Sequence, residues 1–189
     1  VATSPGIMTA IVTNRMLLWG LLIAEVAMVW YVSARINRLS LATATVIFVL
    51  YSVLNGATLS IIFLAYTMQS IASVFFITAG TFAAMSLVGL FTKKDLSPLG
   101  RILFMALIGL IIATLVNAFL IKSGGFSLIV SYIGVLIFTG LTAYDTQKIK
   151  NMLVEADDVS EGAQKIALMG SLALYLDFIN LFLYLLRIF

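Results

Sequence analysis

The chain has 189 residues, is 62% hydrophobic and only 10% charged, and has a mean hydropathy of +1.16. This is far from the roughly 45–50% apolar content of a soluble domain, and it points to an all-α, polytopic membrane bundle forming a single transmembrane domain over 1–189. The absence of Cys and His excludes disulfides, thiolate or imidazole metal sites, a cysteine nucleophile, His-based triads and His as a pH sensor.

A bilayer core about 30 Å thick needs roughly 20 apolar residues as a helix. Six segments meet this in chain order, over 16–34, 41–66, 71–91, 102–121, 126–146 and 166–189. The connections alternate in charge. Arg35, Arg38, Lys93, Lys94, Arg101, Lys148, Lys150 and Lys165 fall on one side, and Arg15, Lys122 and Arg187 on the other. The positive-inside rule assigns the first side to the cytoplasm. The net charge of +3 thus reports topology, and nucleic acid is not an expected partner. This orientation puts Val1 outside the cytoplasm; a cytoplasmic N-terminus would require one more span ahead of it, making seven. The polar stretch 148–165, with Glu155, Asp157, Asp158 and Glu161, reads as a cytoplasmic loop. Its acids lack the spacing of an EF-hand.

Three acids interrupt apolar sequence: Glu25 in the first span, Asp145 at the end of the fifth and Asp177 within the sixth. An ionised Asp at mid-bilayer costs about 2.5–3.5 kcal/mol on insertion scales, so such residues face a bundle interior or a water path. In the sixth span Gly170, Ala173, Asp177, Asn180, Tyr184 and Arg187 share one helical face; in the fifth, Ser131, Gly134, Phe138, Thr142 and Asp145 do the same. Two inward stripes allow the aspartates to meet. The alternative is that Tyr, Asn or Thr donors satisfy each one separately. Asp145 lies near a helix end and Asp177 roughly 16 Å into its segment at 1.5 Å per residue, so a meeting requires a shift of one helix or a half-helix entry. Two carboxylates in contact cannot readily both ionise and titrate as a unit, a switch that needs no His. Two carboxylates fall short of the six to eight oxygens Ca²⁺ prefers, which suits transit better than storage. Glu25 reads either as a protonated acid bonded to a neighbouring helix or as part of an ion path. Arg35 and Arg38 are topology signals, with Arg35 a candidate latch on an aspartate. Asn55 and Asn117 are expected to bond between helices; Trp19, Trp30 and Tyr31 are expected at the interface.

The stretches Gly140-Leu-Thr-Ala-Tyr-Asp-Thr-Gln-Lys148, Leu174-Tyr-Leu-Asp-Phe-Ile-Asn-Leu-Phe182, Ala24-Glu-Val-Ala-Met28 and Phe104-Met-Ala-Leu-Ile-Gly109 resemble the transmembrane Bax-inhibitor-motif family, in particular its bacterial inner-membrane members. The resemblance covers essentially the whole chain. It implies a seven-helix bundle with a short central last helix, and a multi-pass inner-membrane location. It also implies a pH-sensing pair, Asp145 and Asp177, in a pH-dependent calcium leak, with no enzymatic activity. Tyr144, Asn180, Glu25 and Arg35 are the further candidates for the ion path or latch. Asp145 and Asp177 are the expected transient Ca²⁺ ligands. Ca²⁺ and H⁺ are then the transported or sensed ions, the bilayer is the principal partner, and no cofactor is expected. In this chain Val1-Ala-Thr-Ser-Pro-Gly6 corresponds to the exit of the family's first helix. Some relatives suggest another role, a regulator that binds a second membrane protein such as a quality-control protease, docking through 148–165. An intramembrane aspartyl protease also needs paired carboxylates, but the Gly-x-Gly of such enzymes is replaced by Leu174-Tyr175-Leu176 before Asp177.

Overall fold

The computed structural model describes residues 14–36, 38–156 and 160–189. The Val1–Gly6 segment, Asp157 and Asp158, each singled out in the sequence, lie outside the described residues. The described chain is helical: α1 (Arg15–Arg35), α2 (Leu41–Leu59), the short α3 (Ile62–Ala65), α4 (Met68–Phe91), α5 (Ser97–Val116), a π-helical turn over Asn117–Ile121, α6 (Gly124–Glu155) and α7 (Glu161–Ile188). Among the described residues, six helical stretches are long and apolar enough to cross a membrane.

The boundaries follow local chemistry. Asn14, Ser40 and Ser123 cap α1, α2 and α6 by accepting from the backbone N–H three residues on, satisfying donors a helix start leaves open. Pro98 opens α5, where its missing N–H costs nothing. At the far end of that span Asn117 does not bond between helices as expected. Its side chain accepts from Ser123 N and donates to Ser123 O at 3.0 and 3.2 Å. It thereby fastens the turn in which Lys122 takes φ 53°. The second expected span is one stretch broken at Ser60, whose hydroxyl donates back to Ala57 O at 2.6 Å.

The packing forms two units. One holds α1, α2, α3 and α7 through Met169; the other holds α4 from Gln69, α5, α6, and α7 from Gly170. In the first, α1 and α2 are the main packed pair, and their outward residues, such as Val26, Trp30 and Val53, are exposed as lipid-facing groups are. Trp19, Trp30 and Tyr31 are exposed as well.

In the second unit α6 is the most enclosed span, with 44% of its window buried against 28% or less for the other spans. Lipid supplies no hydrophobic drive between helices, so close backbone approach at small residues must hold them. Gly89 of α4 lies against the carbonyl of Ala143 on α6, Gly100 of α5 against the Tyr144 ring, and Gly134 of α6 against the Tyr184 ring, where an added Cβ would stand 2.7 Å away. On α7 Phe178 meets Phe75 and Phe82 of α4 edge-on at 5.6 and 5.5 Å.

Two expectations are corrected here. The stretch 148–165 is not a loop: α6 continues through Lys148 and Lys150 to Glu155, and α7 begins at Glu161. Charged side chains beyond an apolar core do not stop a helix; they only mark where it leaves the hydrocarbon. The last helix is not short either, at 28 residues. Part of its apolar face is enclosed by protein. Leu172, Leu181, Leu185 and Leu186 are buried, because α7 has α4 on one side and α6 on the other.

Candidate functional site

Asp145 of α6 and Asp177 of α7 meet. Their carboxyl groups face each other within interaction range; Asp177 is buried and Asp145 half-buried. The register of the two helices explains how. Gly170 accommodates Ile149, Asp177 reaches Asp145, and Tyr184 stacks on Phe138 at 5.8 Å while lying against Gly134. Successive contacts on α7 are thus seven residues apart, or two helical turns, on an antiparallel partner. The apparent depth mismatch came from ending α6 at Thr146. Since α6 runs ten residues past Asp145, that carboxyl lies roughly 15 Å inside the helix end at 1.5 Å per residue.

The local donors explain why the carboxyls turn to each other. Thr142 Oγ1 donates to Phe138 O at 2.7 Å, Thr146 Oγ1 to Thr142 O at 2.7 Å, and Asn180 Nδ2 to Leu176 O at 2.8 Å. These threonine and asparagine donors are committed to their own helices. Carboxylates are acceptors only when ionised, so a hydrogen bond between two of them requires that one carry a proton and donate it. The second oxygen of Asp177, Oδ2, is buried and has no hydrogen-bond partner. Such groups are rare in folded proteins.

The remaining candidates fall as follows. Tyr144 is half-buried, its ring against Gly100 and beneath Lys148, whose ammonium stands 5.9 Å from the ring centroid. Arg35 lies over Tyr31 of its own helix at 5.9 Å. Glu25 belongs to the first unit, where it is buried against α2. Asn55 Nδ2 donates to its Oε2 at 3.1 Å, and Thr58 Oγ1 lies 2.5 Å from Oε1 and 3.2 Å from Leu54 O. Asn55 is therefore interhelical, as expected. Thr58 Oγ1 is thus shared between Glu25 Oε1 and Leu54 O. Glu25→Gln, which keeps a donor and an acceptor in place, should melt close to the parent. Glu25→Leu should lose roughly 1–2 kcal/mol, the upper range for membrane hydrogen bonds. Thermal unfolding in detergent separates the two outcomes, and equal melting would refute a bonding role.

A residue that the sequence reading passed over lies two positions from Asp145. Gln147 is buried, and both arms of its amide are used: Oε1 accepts from Leu96 N at 2.8 Å and Nε2 donates to Lys94 O at 2.9 Å. It clasps the α4–α5 connection to α6, and Lys150 adds a bond to Leu90 O at 2.8 Å. Within that connection Asp95 accepts from Ser97 N at 2.9 Å. That bond, with Arg101 nearby, holds its carboxyl below the usual range. Any stabilisation from it is present above the ordinary Asp value and is lost as pH falls through the lowered one, so Asp95 takes no part in changes between pH 6 and 8. Among the described residues no three acidic side chains cluster as a metal site.

The whole chain, residues 1–189, matches the family described as inhibitor of apoptosis-promoting Bax1. It is 55% identical over 190 aligned positions to the inner membrane protein YbhL of Escherichia coli K12, covering 100% of this chain and 80% of that protein. An uncharacterised protein of Borreliella burgdorferi is 49% identical over 177 residues, covering 94% of this chain and 76% of the relative. An uncharacterised membrane protein of Streptococcus pyogenes serotype M1 is 42% identical over 184 residues, covering 97% and 79%.

Proposed function

The chain belongs to the family of inhibitors of apoptosis-promoting Bax1, and from that premise we propose that it is a pH-sensitive cation leak, passing Ca²⁺ across the bacterial inner membrane and gated by protons on Asp145 and Asp177. The observation that carries this reading is the close approach of two carboxyls within the helical bundle. Its supports are the similarity to YbhL and the unpartnered oxygen of Asp177.

The pair's chemistry depends on its proton count. With one proton shared, it carries one negative charge and holds α6 to α7. Without that proton two like charges stand in contact. At roughly 4 Å and an effective dielectric constant of about 20, their repulsion is about 4 kcal/mol. Turning a 1:99 population into 99:1 takes about 5.5 kcal/mol, so this single event supplies most of a switch. Separation of the helices relieves the repulsion, and so does a divalent cation between the carboxylates. H⁺ and Ca²⁺ therefore compete for the pair, and Ca²⁺ should bind more weakly at pH 6 than at pH 8. Two carboxylates do not complete a Ca²⁺ coordination shell, so the ion passes rather than stays.

Asp177→Asn tests this. An amide can donate to the remaining carboxylate at every pH, which imitates the singly protonated pair. The variant is expected to remain folded and to show a Ca²⁺ flux in liposomes that no longer varies between pH 6 and 8. A pH profile parallel to that of the parent would refute gating by the pair.

A further inference from the structure

We infer that the end of the second unit where α4, α5 and α6 bring together Lys93, Lys94, Arg101, Lys148 and Lys150 is a binding surface for anionic phospholipid headgroups. A topology signal needs only basic residues on one side of the membrane. Here the segments that carry them are tied together by specific contacts. Gln147 ties the Lys94 carbonyl and Leu96 N–H to α6, and Lys150 Nζ reaches Leu90 O at 2.8 Å. Gly100, with no Cβ, lets the Tyr144 ring lie on the first turn of α5, and Lys148 extends over that ring at 5.9 Å. Arg101 follows Gly100 directly.

The charge at this rim is only partly compensated. Among the described residues Asp95 bonds Ser97 N, Glu155 ends α6 five residues past Lys150, and Asp145 is turned to Asp177. Five basic side chains less Asp95 and Glu155 leave three positive charges. Arg can fork onto phosphate oxygens and Lys supplies point charges to them. Immediately next to the cations the surface is apolar: Phe91 is 77%, Ile102 59% and Leu99 42% exposed. A soluble acidic ligand has no use for that apolar margin. A phospholipid does, since its chains lie along it while its phosphates reach the basic rim. Basic clusters near the membrane surface attract anionic lipid with roughly a fivefold gain per Lys or Arg.

The test is native mass spectrometry of the full chain in detergent, titrated with cardiolipin, phosphatidylglycerol or phosphatidylethanolamine. The parent should hold cardiolipin at least about tenfold more tightly than phosphatidylethanolamine. Lys93→Gln/Lys94→Gln/Arg101→Gln should weaken cardiolipin about a hundredfold at the per-residue gain above, and Lys93→Gln alone about fivefold, which serves if the triple variant fails to insert. Arg35→Gln/Arg38→Gln, in the other unit, should bind as the parent does. Equal binding of cardiolipin and phosphatidylethanolamine would overturn the proposal. So would an equal loss in the Arg35/Arg38 variant, which would mean undirected attraction, or displacement by inorganic phosphate or an acidic peptide at comparable concentration. Because none of these readouts uses flux or pH, the result stands apart from the gating reading.

Discussion

Gln147→Ala is expected to lower stability by about 2 kcal/mol, a shift of roughly 4–8 °C in the thermal midpoint for a chain of this size. The amide makes two bonds to the backbone of the α4–α5 connection, at 2.8 and 2.9 Å. Its removal leaves Lys94 O and Leu96 N without those partners. Each such loss costs about 1–3 kcal/mol when the group stays buried; the connection is partly exposed, so water recovers some of it. Gln147→Glu should be no better than alanine, because it keeps an acceptor for Leu96 N but sets a second acceptor against the Lys94 carbonyl. Because Gln147 sits two residues beyond Asp145, loosening it should also ease the movement of α6 past α7 and raise Ca²⁺ flux at a fixed pH. A midpoint within about 1 °C of the parent would show that the clasp bears no strain, since one kcal/mol alone should move it by 2–4 °C.

Gly89→Ala and Gly80→Ala should act in opposite directions, although both add one methyl to α4. At Gly89 the new Cβ would collide with the Ala143 carbonyl and stand 2.9 Å from Thr146 Cβ, whereas nothing lies within 4 Å of a Cβ at Gly80. A backbone carbonyl cannot swing aside as a side chain does. The helices must part, and overpacking of this kind costs typically 1–3 kcal/mol. We expect the upper end of that range, about 3 kcal/mol, with altered pH dependence because Ala143 lies only two residues before Asp145 on α6. Gly80→Ala should be neutral or stabilising by up to about 1 kcal/mol from helix propensity. Melting curves of the two variants decide the matter, and equal effects would contradict tight α4–α6 packing.

The helical membrane fold was legible because hydropathy responds to a bilayer of fixed thickness: α1, α4 and α6 begin within three residues of the expected positions. Helix ends were less legible. Charge marks where a helix leaves hydrocarbon, and this hid the extension of α6 to Glu155. The extension, in turn, is what brings Asp145 level with Asp177. The two inward stripes could be read from residue spacing, but their meeting and register could not, since the register depends on Gly134 and Gly170 accepting Tyr184 and Ile149. Asn117 resisted reading because a mid-sequence amide can serve a neighbouring helix or its own turn, and only the left-handed Lys122 selects the turn. Gln147 was visible inside the Tyr-Asp-Thr-Gln motif, yet its role depends on a loop about fifty residues away. A polar amide flanked by basic residues at a span's end was the available signal.

The central claim is that the protons shared by Asp145 and Asp177 set Ca²⁺ passage. The most direct measurement is Ca²⁺ flux into liposomes holding the purified chain, taken from pH 6 to pH 8 for the parent and for Asp145→Asn/Asp177→Asn. A pH-dependent flux is expected in the parent. In the double variant, which has no carboxyl pair to attract the ion, the flux should be at least about tenfold lower and flat with pH. A single unit of pKa difference already corresponds to a tenfold population change. Unchanged flux with unchanged pH dependence in the double variant would contradict that claim.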